Sequence, residues 1–216
     1  MKRSWKSIGL LLFALVILGC LFFTQITSLL FPNLMHTTEN AAMMYSYTQE
    51  VIDSNGELLK NYLPDNQRRI KETFTEDSFD SYNLNLAINN IWNNYSETSD
   101  AVLDNELLSF RVRSFRNWRN KATVVVKTAI LQKYIPYNME QGTYMAFLVV
   151  AKETRTIELI KDNSGNWKVS KMNTSNYLSG TPQEMGITKE DYKKSFETRK
   201  EACDYLNSLD LRKTVK

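Results

Sequence analysis

The pattern of apolar and polar positions divides the chain into three regimes. Ile8 to Phe23 is a run of sixteen positions with no charge and no polar side chain other than Cys20. The run continues through Thr24, Gln25, Thr27 and Ser28 to Phe31, where Pro32 ends it. At about 1.5 Å per residue, residues 8–31 make a helix of roughly 36 Å, enough to cross a hydrocarbon core of about 30 Å. From Thr38 to about Asn105 the apolar period is helical. Thr37 or Thr38 can cap a helix carrying Ala41, Met44, Tyr45, Thr48 and Ile52 on one stripe. Ser54-Asn55-Gly56 reads as a turn, and Leu84, Ile88, Ile91, Trp92 and Tyr95 form a second stripe after a polar loop at 75–81. Ser99 or Asp100 is a plausible cap for a short helix with Val102, Leu103 and Leu107.

From about Glu106 the period changes to two, which predicts four antiparallel strands at 106–116, 121–135, 142–161 and 166–173. The first is ambiguous, because Leu108, Val112, Phe115 and Trp118 also fit a helix. Residues 122–131 are β-branched and apolar, and Asp162 to Asn166 is a hairpin turn with Gly165. In the last strand Trp167 and Val169 face one side and Lys168 and Ser170 the other. Beyond a polar loop, Thr188 and Asp191 resemble a capping box for a charged amphipathic helix carrying Phe196, Cys203 and Leu206.

Charge changes this picture in two ways. Lys2, Arg3 and Lys6 precede the apolar run with no acid before Pro32, and removing these three from the 27 basic residues leaves 24 against 24 acids. The net +3 is therefore a membrane-insertion signal and not a nucleic-acid signature. It predicts a cytoplasmic N-terminus and an extracytoplasmic body. A cleaved signal is disfavoured because no small-x-small site follows the core. A lipoprotein signal at Ile17-Leu18-Gly19-Cys20 is disfavoured because Leu21-Phe22-Phe23 stays apolar. Near-absence of cysteine in an exported domain fits a Gram-positive bacterium. Secondly, residues 39–107 hold 13 acids and 4 bases, whereas residues 108–172 hold 12 bases and 4 acids. Arg111, Arg113, Arg116, Arg119 and Lys121 fall within eleven residues, interleaved with Phe110, Phe115 and Trp118. They are the candidate binding residues, with Trp118, for an anionic partner. The alternative is that they pair with the acidic helices of the same domain or form a solvated strand face.

Candidate chemistry is sparse. His36, the single histidine, lies close to the end of the apolar run, a poor platform for a nucleophile-His arrangement. Glu153 and Glu158 are expected to face water at a strand edge. No glycine-rich phosphate loop or metal-ligand spacing occurs, so no catalytic residue, cofactor or metal is expected.

Helices first, then Asn120 to Val126, a long apolar strand, and the Asp162-to-Val169 hairpin together resemble the nuclear-transport-factor-2-like fold over about residues 40–175. That resemblance implies a curved antiparallel sheet wrapped around helices as a cone, with Trp167 plugging the core. Single-pass proteins of this layout resemble assembly subunits of secretion and conjugation machines. They also resemble the region preceding amidase-like domains of some cell-wall proteins.

The sequence thus predicts an α+β protein, an N-terminal transmembrane helix followed by helices on a curved four-stranded antiparallel sheet. Its organisation is a cytoplasmic tail at 1–7, an anchor at 8–31, a juxtamembrane linker at 32–39, the body at 40–175, and a polar loop and helix at 176–216. The expected role is a non-catalytic interaction or assembly protein of the cell envelope. Its partners would be membrane lipid through residues 8–31 and an envelope protein or a second copy, with no nucleic acid. The alternatives are a ligand-binding or sensing domain, or a regulatory domain of an amidase-type protein.

Overall fold

The computed structural model describes Gly19 and residues 22–59, 62–96, 98–180 and 193–209. Its elements run α1 (Phe23–Leu30), α2 (Pro32–Tyr47), α3 (Tyr62–Thr73), α4 (Phe79–Asn94), β1 (Ala101–Trp118), β2 (Lys121–Ile135), β3 (Tyr137–Asn138), β4 (Thr143–Lys161), β5 (Trp167–Gly180), β6 (Lys193–Phe196) and α5 (Arg199–Ser208). The chain is α+β, with helices packed on an antiparallel sheet. The sheet has six strands rather than four. β2 and β4 are central, β1 flanks β2, and β5 and β6 lie end to end along the far side of β4.

The alternation along the two central strands explains where the core lies. In β2 the buried positions are Ala122, Val124, Val126, Thr128 and Ile130, then Leu131 and Ile135. In β4 they are Ala146, Leu148 and Val150, then Ala151, Glu153, Arg155, Ile157 and Leu159. Both strands switch parity at the same register, where Ile130 pairs with Ala151 and Leu131 with Val150. Successive side chains point to opposite faces, so the sheet is covered on one face at one end and on the other face at the other end. The first core gathers Leu34, Met44, Ile70, Phe74 and Ile88 of the helices onto Val124, Val126, Ile157 and Leu159. Trp167 belongs to it and is 9% exposed. The second core gathers Ala202, Cys203 and Leu206 of α5 and Ile52 onto Leu131, Ile135, Leu148 and Val150.

Two turns share one construction. Asp53 Oδ1 accepts from the Asn55 and Glu57 N–H groups, and Asp162 Oδ1 from those of Ser164 and Asn166, at 2.8–3.0 Å. Gly56 and Gly165 supply the positive φ, at 86° and 84°. These backbone N–H groups hold both carboxyls below the ordinary aspartate range.

Several expectations are corrected. Residues 32–39 are no linker: Pro32 opens α2, and Leu34, Met35 and Thr38 are buried. Thr38 caps nothing; its hydroxyl donates to Leu34 O at 2.8 Å within the helix. Ile52 lies past the end of α2, where Ile52 N–H donates to Val102 O. The proposed short helix after Asp100 is the start of β1, because Ala101 and Val102 pair with Ile135 and Tyr134 of β2, with residues 50–52 running along the other side of Val102. The first strand is a strand and not a helix. At the C-terminal end Phe196 belongs to β6, and the helix starts later, capped by Thr198 and Glu201 in a reciprocal capping box. The Thr188–Asp191 signal lies outside the described residues. So do residues 1–18, 20 and 21 of the expected tail and anchor. Among the described residues, no helix is long and apolar enough to cross a membrane.

Candidate functional site

Register places most of the candidate binding residues on one face. Val124 and Val126 point into the first core, so the alternate positions of β2 face away from the helices. Arg111 pairs with Lys127, Arg116 with Thr123, and Trp118 with Lys121. Arg111, Arg116 and Trp118 thus share with Lys121 and Lys127 the face opposite α2–α4, the one that α5 covers only at the other end of the sheet. Arg113 falls at a register shift between Val112 and Ser114. Arg119 forms the hairpin turn with φ 54°, a conformation uncommon for a residue with a Cβ. All five cations are exposed, and Trp118 is 74% exposed. Among the described residues, none of the five is in an ion pair, whereas Arg68 pairs with Asp65, Arg155 with Glu153 and Lys200 with Asp204. Arg111 opposite Lys127 is a like-charge cross-strand pair, which costs stability unless an anion offsets it.

A second polar feature was not legible as such. Glu153 does not face water: it is 7% exposed and Arg155 3%, and the two form an ion pair on the first-core face of β4. Arg155 Nη1 also donates to Ala42 O at 2.7 Å and Ala41 O at 3.4 Å, fastening the sheet to α2. Thr128 Oγ1 and Arg155 Nε are buried without a hydrogen-bond partner. Glu158, by contrast, is exposed as expected. The signal for the pair was present: Glu153, Arg155, Ile157 and Leu159 are alternate positions of one strand, and the last two are core residues.

The third feature is a cleft of about 660 Å³ between the Asn55–Leu58 turn and the start of α5. Arg199 anchors it. Its guanidinium donates to Tyr95 Oη at 2.5 Å, Ser99 O at 2.5 Å and Gly56 O at 3.4 Å. It also lies 5.4 Å from the Tyr144 ring centre. Gly56 is required twice, since a Cβ there would sit 3.1 Å from the Arg199 side chain. Cys203, one turn further along α5, lies in the second core, and burial pushes its thiol up to about 11, which leaves it an unreactive filler. Glu57 and Glu197 line the cleft with Lys200, so its charge is mixed. His36 is exposed on α2, its Nε2 3.1 Å from Asn40 Nδ2.

The chain matches no protein-family model and no curated protein. Among solved structures it is similar to the crystal structure of the intermembrane space region of chloroplast protein ARC6. The identity is 16% and the TM-score 0.40, over 66% of this chain and 96% of that one. A likeness at that level carries no argument about fold or role.

Proposed function

We propose that the chain is a membrane-anchored, extracytoplasmic, non-catalytic interaction protein of the bacterial cell envelope, related to secretion or conjugation assemblies. In this reading residues 8–31 hold it in the membrane and the body is a cone-like nuclear-transport-factor-2-like domain. The observation that carries the binding role is a cationic strand face without counter-charges. Helices α2–α4, with four acids and three bases between them, cover one face of the sheet, while Arg111, Arg116, Trp118 and Lys121 occupy the opposite one without ion-pair partners among the described residues. An exposed cationic strand face with an aromatic beside it suits an anionic protein surface.

The test is capture of crosslinked envelope partners by the full chain and by its Arg111→Glu, Arg113→Glu, Arg116→Glu variant. The expected result is loss of capture with an unchanged melting temperature. Capture that survives in the folded variant removes the basic face from the reading. A second reading, a ligand-binding or sensing domain, rests on the open cleft beside Arg199. Ligand protection of Tm that disappears in Lys200→Ala, with no effect of the arginine changes, would favour it.

A further inference from the structure

Helix α1 turns a stripe of large apolar side chains outward, unlike a helix packed on a water-soluble body. Its threonines face the protein together with Phe23 and Phe31, while Gln25 is exposed. Thr27 is buried, and Thr24 Oγ1 accepts from the Val112 N–H on the free edge of β1 at 3.0 Å. The Thr27 hydroxyl donates to its own helix, to Phe23 O and Thr24 O at 2.9 Å. Four apolar residues face outward: Phe22 is 50% exposed, Ile26 42%, Leu29 82% and Leu30 64%. At about 100° per residue these four positions fall within an arc of roughly 100°. Thr24, Thr27 and Phe31 occupy the opposite side.

Three observations identify what covers this stripe. The sequence immediately before it is the uncharged run from Ile8 to Leu21. No spacer separates the stripe from the body: Phe31 packs on Phe115 with ring centres 4.9 Å apart, and Leu34, one turn into α2, is 1% exposed. Finally, Arg111 and Arg113 line a hollow with Thr24 and Gln25, which sets exposed cations beside the apolar stripe. An apolar helix face bordered by arginine, next to a hydrophobic run, has the chemistry of a bilayer interface.

We propose that α1 is the outer end of the membrane segment, with Phe22, Ile26, Leu29 and Leu30 against acyl chains and Thr24 bonded to β1. The body is then held against the lipid in one orientation, with β1 beside the headgroups, instead of swinging on a tether. This rests on the anchor reading above and adds to it a fixed seat for the body, made by the docking of β1 on α1.

The test uses the full chain in vesicles of phosphatidylcholine and phosphatidylglycerol, in a Cys20→Ala, Cys203→Ala background. Single bimane labels go at Leu29→Cys, at Val16→Cys in the anchor run, and at Phe79→Cys, a residue 77% exposed at the start of α4. Quenching by phosphatidylcholine carrying acyl-chain nitroxides is then measured. Leu29 tolerates the label because its side chain touches little. The expected result is quenching at 29 approaching that at 16 and at least about threefold above that at 79, as burial in the acyl boundary requires. Quenching at 16 with 29 no higher than 79 overturns the lipid seat of α1 while residues 8–21 stay in the membrane. Shielding of 29 from aqueous iodide without lipid quenching means that protein covers the stripe, and it overturns the inference equally. Absence of quenching at both 16 and 29 overturns the anchor as well.

Discussion

The two ends of the sheet are built from the same strands yet solve burial differently. At the first, helices α2, α3 and α4 cover one face over nineteen buried residues, and a buried arginine ties sheet to helix. At the second, the opposite face is covered over ten buried residues among those described, by α5 and by Ile52 of the segment after α2. Its fastener, Arg199, sits at the helix start and holds the turn at Gly56 and the loop at Ser99. A long strand can therefore serve two cores, provided its buried parity changes once. The smaller core, with one short helix, should open at lower free energy than the larger.

The strongest way to break this comparison is Arg155→Ala, which strips the buried Glu153 of its partner. Leaving a buried carboxylate alone costs about 3–5 kcal/mol. The paired change Glu153→Leu with Arg155→Met should recover most of that in denaturant melts. A single variant as stable as the parent would mean that the pair is no fastener. Next, Ile157→Ala and Leu206→Ala each remove a fully buried side chain, one from each core, at about 2–5 kcal/mol. Hydrogen exchange separates them: Ile157→Ala should raise exchange across β1, β2 and β4, and Leu206→Ala chiefly in α5 and β6. Equal spread from both would make the two cores one cooperative unit.

The smallest effect concerns Glu50, at the margin of the second core. Burial raises its carboxyl above the ordinary range, against the Ser99 hydrogen bond and the Arg199 charge. The folded protein then keeps a proton that the unfolded chain has already released. Stability therefore falls as pH rises from the unfolded value of about 4.3 through the raised folded one. Glu50→Gln should melt higher than the parent at pH 7 and level with it near pH 4. A gain of the same size at both pH values would place its cause in packing and not in ionisation.

Much of the sheet was legible because alternation is a local signal. Residues 121–135 were placed at their observed limits, and the turn at Asp162–Asn166 follows from Asp and Gly at fixed spacing. The start of β1 was missed because Val102 and Leu103 look alike in a strand or a helix, and only pairing with the end of β2 and with the segment at 50–52 decides between them. Asp100 offered itself as a cap, but its carboxylate accepts from Tyr134 Oη at 2.6 Å and Tyr137 N at 3.2 Å. Burial and that charge push the Tyr134 phenol upward. Of the candidate site, the cationic run was visible and its shared face followed from strand pairing. Arg199 gave no signal, because its partners lie about 100 and 140 residues away in the chain, at Ser99 and Gly56.

The sequence alone determined the apolar run at 8–31, the helical and then extended halves, and the opposed charges of those halves. Each is a property of neighbours along the chain. Tertiary structure alone decided which face of each strand is covered, that Glu153 and Arg155 lie inside, and that the threonines of α1 turn toward β1 while its leucines turn away. The physical reason is that burial depends on which element arrives on which side. Period fixes the alternation of a strand, but only the packed neighbour fixes which alternate row leaves the water.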